Sequence, residues 1–152
     1  MQVWKDRKIK AKIKYEYPPE RKSSFTDFEE FYNYLQQNKK ETIVKTLALG
    51  INLGGVYAEE LCFRAHVPKE TKDPSEKDFR ELYTELENLL SETLQANMIN
   101  GEPYPIMMHS LGEGTTCTSY NEALDQFYAQ FIDEREEEQK QIPAKKKKYE
   151  EL

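Results

Sequence analysis

The sequence predicts a small α+β domain in which two helices pack against an antiparallel sheet of about four strands. Three observations support this fold class. Apolar residues recur at helical spacing in some segments, they alternate with a period of two in others, and glycine or proline separates most of the segments. In chain order the elements are strand, helix, strand, strand, helix and strand, which is the βαββαβ, ferredoxin-like order. A C-terminal helix and a disordered charged tail complete the prediction.

The first predicted element is a strand from Val3 to Tyr17. One side of this strand carries small and apolar residues, which we expect to be buried because they alternate with charged residues, mostly lysines. The apolar side comprises Ile9, Ala11, Ile13, Tyr15 and Tyr17, and the lysines opposite are Lys8, Lys10, Lys12 and Lys14.

The lysines of this strand support three interpretations. They can form a solvated face that discourages edge-to-edge pairing of sheets. They can dock against acidic helices of the same chain or against an acidic partner protein. They can also follow the phosphates of a nucleic acid, because residues 1–22 carry eight Lys or Arg and only three Asp or Glu within a chain of net charge −6. The candidate nucleic-acid-binding residues are Lys8, Lys10, Lys12 and Lys14.

The first predicted helix begins with a capping box, Thr26 to Glu29, and runs to about Asn38. An almost continuous apolar run, Thr42 to Gly50, then predicts a strand that is covered on both faces. Asn52 to Gly55 has the composition of a turn, and the alternation of residues 56–67 predicts the second strand of a hairpin. Helical spacing fits this last segment as well, through Ala58, Leu61, Cys62 and Ala65.

The most regular pattern lies between Asp73 and Asn97 and predicts a long helix. Asp73 is a suitable N-cap, and Pro74 and Glu76 suit the first turn. The Asn100-Gly101 pair is expected to end the helix. At 1.5 Å per residue the helix would be ~37 Å long, so the rest of the domain must cover its apolar stripe. That stripe comprises Phe79, Leu82, Tyr83, Leu86, Leu89, Leu90 and Leu94.

The C-terminal part of the sequence predicts a short edge strand, Tyr104 to His109, followed by a glycine-rich loop. A third capping box, Ser119 with Glu122, then begins the last helix. The apolar face of this helix comprises Tyr120, Leu124, Phe127, Tyr128 and Phe131. Beyond it the sequence becomes highly charged, which predicts one domain over residues 1–136 and a disordered tail over residues 137–152.

A small anionic ligand, such as a nucleotide, is one candidate for the loop from Gly112 to Ser119. Glycines and hydroxyl side chains before a helix N-terminus offer N–H and O–H donors to an anion. Residues 99–118 contain no Lys or Arg, so positive charge would have to come from elsewhere in the chain. The candidate ligand-binding residues are Arg64, His66, His109, Thr115, Thr116 and Ser119.

Metal and nucleophile sites have weaker support in the sequence. The two Cys and two His occur as Cys62-x3-His66 and His109-x7-Cys117, which matches no common zinc spacing. On a strand, Cys62 and His66 would be about 13 Å apart and unable to share an ion, whereas on a helix they would lie one turn apart. Cys117 near a helix N-terminus could act as a nucleophile with a histidine. We assign no catalytic residue, no metal and no cofactor.

The sequence also bears on location. No apolar run approaches the roughly 20 residues that span a bilayer. The N-terminus lacks the apolar region of a signal peptide. We therefore expect a soluble, cytoplasmic protein that does not enter a membrane.

Without a catalytic constellation, the first functional hypothesis is a non-catalytic binding or regulatory protein. It would contact another protein, and a homo-oligomer is one form of such contact. Its composition suggests a bacterium, or a phage or other mobile element of one, as the source. Acidic helix positions such as Glu81, Glu85 and Glu92 would offer a charged surface to a basic partner. The alternatives are a nucleic-acid-binding accessory protein that uses the basic first strand and a binder of a small anion at Gly112 to Ser119.

Overall fold

The computed structural model describes residues 24–132 throughout and, before them, residues 2–3, 8–9, 12, 14–15, 17 and 22. The chain forms two compact units, residues 1–85 and 86–152. The predicted tail, 137–152, lies outside the described residues. The predicted extent of one domain, 1–136, stays a prediction.

The N-terminal segment forms a short hairpin instead of one long strand. β1 (Gln2–Val3) and β2 (Lys8–Ile9) pair antiparallel, so the chain reverses direction between them. The prediction of a single strand from Val3 to Tyr17 is therefore wrong. Lys12, which follows β2, has a left-handed φ of 67° that an extended strand does not accommodate.

Helix α1 (Phe28–Gln37) begins at a capping box one residue later than predicted. Asp27 is the N-cap, and its carboxylate accepts a hydrogen bond from the backbone N–H of Glu30 at 2.9 Å. The Glu30 carboxylate in turn accepts from Lys22 and from the backbone N–H of Thr26, the latter at 2.8 Å. These donors, Lys22 first, hold the pKa of Glu30 at about 2, so the cap is ionised at neutral pH.

The segment that follows contains two helices where the sequence predicts a hairpin of strands. α2 (Ile43–Gly50) and α3 (Gly55–Arg64) are joined by a short turn and pack against each other. The strand predictions for 42–50 and 56–67 are wrong, and the helical spacing noted for the second segment is the correct period. The residues that this period buries in α3 and directly after it are Ala58, Leu61, Cys62 and Ala65.

The N-terminus of α2 is capped by main-chain groups from a distant part of the sequence. Thr42 is the N-cap, but its side chain makes no capping hydrogen bond. The carbonyl of Thr71 accepts from the N–H of Ile43 at 2.8 Å, and the carbonyl of Lys69 accepts from the N–H of Val44 at 3.3 Å. The helix therefore begins without a local signal, which explains why the apolar run resembles a strand in the sequence.

Helix α4 (Glu76–Ser91) is the predicted central helix, but it is shorter at both ends. Its first turn is capped by Ser75 and Asp78, because Ser75 Oγ accepts from the N–H of Asp78 and the Asp78 carboxylate accepts from the N–H of Ser75. The predicted cap, Asp73, lies instead 2.5 Å from Lys39 Nζ. In the first unit Tyr83 packs on Phe31 of α1, with ring centroids 5.3 Å apart.

The second unit contains a three-stranded antiparallel sheet in the order β4-β3-β5. β3 (Asn97–Ile99) lies in the centre, between β4 (Glu102–Tyr104) and β5 (Thr115–Thr116). The Asn100-Gly101 pair has positive φ at both residues and connects β3 to β4, so it forms a hairpin turn where the sequence predicts a helix end. The predicted edge strand, Tyr104 to His109, is confirmed only at Tyr104.

A 3₁₀ turn at His109–Leu111 precedes β5, and helix α5 then begins at Tyr120 and is described to Ile132. Its predicted capping box is confirmed, because Ser119 Oγ accepts from the N–H of Glu122 at 3.2 Å and the Glu122 carboxylate accepts from the N–H of Thr118 at 2.8 Å.

The predicted α+β class is confirmed. The ferredoxin-like order and the fourth strand of its sheet are not, because the segments assigned to its middle strands are helices.

Gly114 approaches β3 closely, unlike the other two glycines of the second unit, Gly101 and Gly112. A Cβ atom at this position would lie 2.5 Å from Ile99 Cγ1 and 2.9 Å from the carbonyl oxygen of Met98, both in β3. Both distances are shorter than real Cβ contacts, and a main-chain carbonyl cannot move aside without disturbing the ladder. Gly114 therefore allows the β5 region to pack against β3.

We predict that Gly114→Ala lowers the free energy of unfolding of the second unit by roughly 1–3 kcal/mol, as overpacking of a filled site does. Urea unfolding, with hydrogen exchange at the amides of β3, measures this loss. Gly55→Ala is the matched control, because nothing lies within 4 Å of a Cβ at Gly55. Equal stability of the two variants would contradict the close approach at Gly114.

Candidate nucleic-acid interface

The basic residues of the N-terminal segment are the first candidates for an interface. Lys12 and Lys14 are exposed, and within the described part of the chain neither forms an ion pair. Lys8 lies in β2, and Lys10 lies outside the described residues. Lys12 and Lys14 therefore keep their full charge available to an anionic partner.

Six of the nine other Lys and Arg side chains that the structure describes in the first unit form an ion pair with a carboxylate. The residues in ion pairs are Lys22, Lys39, Lys45, Arg64, Lys69 and Arg80. Lys40, Lys72 and Lys77 are exposed and have no ion pair among the described residues, but they are spread over the segments before α2 and α4 and over α4 itself. Among the described residues, Lys12 and Lys14 are the only two exposed lysines without an ion pair that lie within two residues of each other.

The turn between α2 and α3 leaves a helix N-terminus at the surface. Gly54 is the N-cap of α3 with φ 80°, and no side chain caps this helix. Gly55 and Val56 are exposed in the first turn, whose N–H groups have no acceptor within the helix. The partial positive charge of a helix N-terminus, together with such N–H groups, favours phosphate.

Arg64, a predicted ligand contact, belongs to a buried ion pair. Its Nε atom lies 2.7 Å from Glu60 Oε1, one turn earlier in α3, and the two side chains are 12% and 0% exposed. Glu60 is fully buried because α3 turns its side chain inward. Arg64 is therefore engaged in neutralising a carboxylate inside the first unit.

His66, the next predicted contact, is exposed and ends α3. It has a left-handed φ of 54°, its N–H donates to the carbonyl of Phe63, and the N–H of Val67 donates to the carbonyl of Cys62. These two bonds form a Schellman motif, with histidine at the position where glycine is usual. His66 therefore has a structural role whether or not its imidazole binds a ligand.

The other predicted ligand residues lie in the second unit, and two of them have structural contacts. Thr116 Oγ1 donates to Asn97 Oδ1 at 3.3 Å, and Ser119 Oγ caps α5. Thr115 is exposed in β5, where it pairs with Met98. The hydroxyl groups of Thr116 and Ser119 thus hold the loop in place, and the anion site across Arg64, His66, His109, Thr115, Thr116 and Ser119 stays a prediction.

An open cleft of about 460 Å³ lies beside the predicted loop in the second unit. It is lined by Met107, His109, Gly112, Glu113 and Gly114. Glu113 contributes negative charge, and none of the described residues that line the cleft is Lys or Arg. An anion would meet like charge there, so the cleft gives a nucleotide no electrostatic attraction.

The cysteines do not form a recognisable reactive site. Cys62 is buried in α3, and desolvation raises the pKa of its thiol to about 12, which keeps it protonated. Cys117 is half-buried, and its thiol lies 3.8 Å from the carbonyl of Thr115. Over the part of the chain that the structure describes, no three His, Cys, Asp or Glu residues lie close enough to hold a metal ion.

None of the described helices is long and apolar enough to cross a membrane.

Comparison with known proteins places the chain in a family. The whole chain, residues 1–152, matches the family described as NFACT N-terminal and middle domains. The chain belongs to this family. It is also 28% identical over 145 residues to the archaeal Rqc2 homolog aRqcH of Methanocaldococcus jannaschii. This match covers 85% of the chain but 22% of the relative, so the chain spans about a fifth of that relative's length. No solved structure matches the chain.

The NFACT match corrects the first functional hypothesis. A regulatory protein of a phage or mobile element is wrong, because the full length of the chain is accounted for by the NFACT family. The nucleic-acid alternative agrees better with the family, and a protein or nucleic-acid partner is compatible with it. The sequence contained one usable signal for this outcome, the excess of Lys and Arg in residues 1–22.

We predict that Arg64→Met destabilises the first unit strongly, by about 3–5 kcal/mol, because it leaves the Glu60 carboxylate buried without its cation. The double variant Glu60→Gln with Arg64→Met should recover part of this loss. Lys45→Met is the control, since Lys45 pairs with Glu41 on the surface and such pairs contribute about 0–1 kcal/mol. Denaturant unfolding compares the variants, and a loss in Arg64→Met no larger than in Lys45→Met would show that the pair is not buried as described.

Proposed function

We propose that this chain binds RNA and that it contributes to the contact between an NFACT-family protein and an RNA-rich assembly such as the ribosome. The observation that carries the proposal is the pair of exposed lysines at Lys12 and Lys14, which no carboxylate neutralises among the described residues. They lie in a stretch, residues 1–22, whose charge is +5 from eight basic and three acidic residues.

The electrostatic contribution of these lysines follows from the negative charge of the RNA phosphates. Each lysine that neutralises a phosphate releases condensed counterions, so binding is favoured at low salt and weakens as salt increases. Contacts of this kind position a nucleic acid without reading its sequence. The proposed activity is therefore sequence-tolerant binding with a strong dependence on ionic strength.

The N-terminus of α3 is the second contact that we include. Gly54 and Gly55 are exposed, and there is open space where their Cβ atoms would be, so a phosphate can approach the backbone closely. The turn that joins α2 and α3 has the glycine content and short length of the turns in helix-turn-helix pairs. This contact uses backbone N–H groups and no side chain. The distribution of charged residues in the sequence therefore does not predict it.

We predict that Lys12→Glu with Lys14→Glu weakens RNA binding and reduces the slope of log K against log salt by about 2, close to one per lost phosphate contact. Fluorescence anisotropy of a labelled RNA at several salt concentrations measures both quantities, and co-sedimentation with purified ribosomes tests the assembly. A matched control is Lys77→Glu with Lys72→Glu, which changes net charge equally at two exposed lysines. If the control weakens binding as much, the N-terminal lysines are not the contact, and if the unmodified chain binds no RNA at low salt, the proposal fails.

We predict that Gly55→Asp weakens RNA binding relative to Gly55→Ala. A carboxylate in the first turn of α3 interacts favourably with the helix dipole, so the fold is kept or slightly stabilised, while a phosphate at the same turn is repelled. Anisotropy gives the affinity, and thermal unfolding confirms that stability has not fallen. Equal RNA affinity of the two variants would remove the α3 N-terminus from the interface and leave the lysine contact in place.

A further inference from the structure

The apolar face of α5 is only partly covered. Ala123 is fully buried and Phe127 is half-buried, so the first part of the helix packs against its own unit. The last turns differ, because Tyr128 is 58% exposed, Phe131 is 44% exposed and Ile132 is 59% exposed. The C-terminal part of this face therefore lies at the surface.

The exposed rings are held in place by the half-buried one. The ring centroid of Phe127 lies 5.1 Å from that of Tyr128 and 5.1 Å from that of Phe131. Tyr128 and Phe131 lie 6.5 Å apart. Side chains that are already restrained lose less conformational entropy when a partner binds, so this apolar surface is pre-ordered for contact.

A carboxylate lies beside the exposed apolar side chains. Asp125, Tyr128 and Ile132 follow the spacing i, i+3 and i+7, so they share one face of the helix, and all three are exposed. Among the described residues, Asp125 forms no ion pair. We call Asp125, Tyr128, Phe131 and Ile132 the α5 patch. It presents apolar groups next to an uncompensated negative charge.

The charge of the second unit is of one sign. The sequence contains no Lys or Arg from residue 81 to residue 134. Residues 86–132 thus carry no basic and six acidic side chains, a charge of −6 with histidine neutral. A surface of one charge sign attracts the opposite charge and repels its own. The six acidic residues are Glu87, Glu92, Glu102, Glu113, Glu122 and Asp125.

These charges distinguish the occupants that an apolar patch could accept. The phosphates of a nucleic acid would meet like charge at Asp125. A second copy that used the same patch would bring an identical carboxylate and a unit of the same sign. A neutral apolar segment would cover Asp125 without supplying a cation, which costs desolvation energy. A positively charged segment with apolar residues of its own satisfies both features of the patch.

The shape of the patch indicates the form of that segment. The described part of α5, residues 120–132, is ~20 Å long at 1.5 Å per residue. A stripe of this kind on one helix packs against the apolar stripe of another. Lys and Arg at the margins of such a partner can extend along the apolar surface toward a carboxylate and lie over an aromatic ring.

We propose that the α5 patch is a docking surface for a basic amphipathic helix of a partner protein. Apolar residues of that helix cover Phe131 and Ile132, and a Lys or Arg of the helix pairs with Asp125 and lies over Tyr128. The inference goes beyond the proposed RNA contact and does not depend on it, because it concerns the second unit alone.

The test uses the full chain and a labelled synthetic helix of about 18 residues, with Leu at the spacing of one helix face and Lys elsewhere. One control peptide has Glu in place of every Lys, and another has Ser in place of every Leu. Fluorescence anisotropy at several salt concentrations gives the affinities. Amide chemical shifts of the isotope-labelled chain locate the contact.

The main variant is the double substitution Tyr128→Ser with Ile132→Ser. Serine has a helix propensity similar to those of tyrosine and isoleucine, so the helix should be retained, and thermal unfolding checks this. The matched control is Leu90→Ser with Leu94→Ser, which removes two apolar side chains of the same unit that are 60% and 75% exposed. Asp125→Asn tests the charge separately.

We expect the Leu/Lys helix to bind and to shift the amides of α5. The main variant should weaken this binding by about 30-fold, the loss typical of a central aromatic anchor. The leucine control should bind as the unmodified chain does. Asp125→Asn should weaken binding by about 2- to 5-fold and reduce its salt dependence. None of these variants should change RNA affinity.

Four results would overturn the inference. The first is no binding of the Leu/Lys helix by the unmodified chain. The second is equal binding of either control peptide, which would indicate that charge alone or apolar contact alone suffices. The third is an equal loss in the main variant and in the leucine control. The fourth is self-association in sedimentation velocity that the main variant abolishes, which would assign the patch to a second copy. A main variant that loses RNA affinity would likewise assign the patch to RNA.

Discussion

The buried N-terminus of α2 is the constraint on which the first unit depends. Ile43 is 2% exposed and Thr42 is 4% exposed, so the unpaired N–H groups of this first turn cannot be left to water. The carbonyls of Lys69 and Thr71 satisfy the N–H groups of Val44 and Ile43, and this holds the segment after α3 against the start of α2. The chain reaches that position because His66, in its left-handed conformation, turns it back at the end of α3.

The hydrogen bonds to the carbonyls of Lys69 and Thr71 make the first turns of α2 and α3 different. At one end, the start of α2 is covered by main chain from the segment that follows α3. At the other end, α3 begins at exposed Gly54 and Gly55 without a side-chain cap. The main chain after α3 therefore covers the start of α2, whereas the start of α3 at Gly54 and Gly55 is exposed.

Helices with a capping box in their own sequence are predicted correctly. A helix whose cap comes from a distant part of the chain is not. The helices α1, α4 and α5 each begin at a capping box, and the sequence identifies them, although two of the boxes shift position. α2 has no such box, since its cap lies in residues 69–71, and its apolar run is equally suited to a buried strand. For the candidate interface, the lysine contacts stay a prediction, and Tyr15 and Tyr17, which the sequence assigns to the core, are exposed. Alternation predicts which residues share a side and not which side is buried.

Net charge alone would argue against nucleic-acid binding by this chain, since it totals −6. Charges act over about 8 Å at physiological ionic strength, however, so a phosphate responds to its neighbours and not to the total. Several carboxylates of the first unit are engaged with cations, and Lys39 and Lys45 lower the pKa values of Asp73 and Glu41 respectively. Such carboxylates stay ionised but are locally compensated, whereas the described structure provides no such compensation at Lys12 and Lys14. A basic surface can therefore persist on an acidic protein because its negative charges are paired elsewhere.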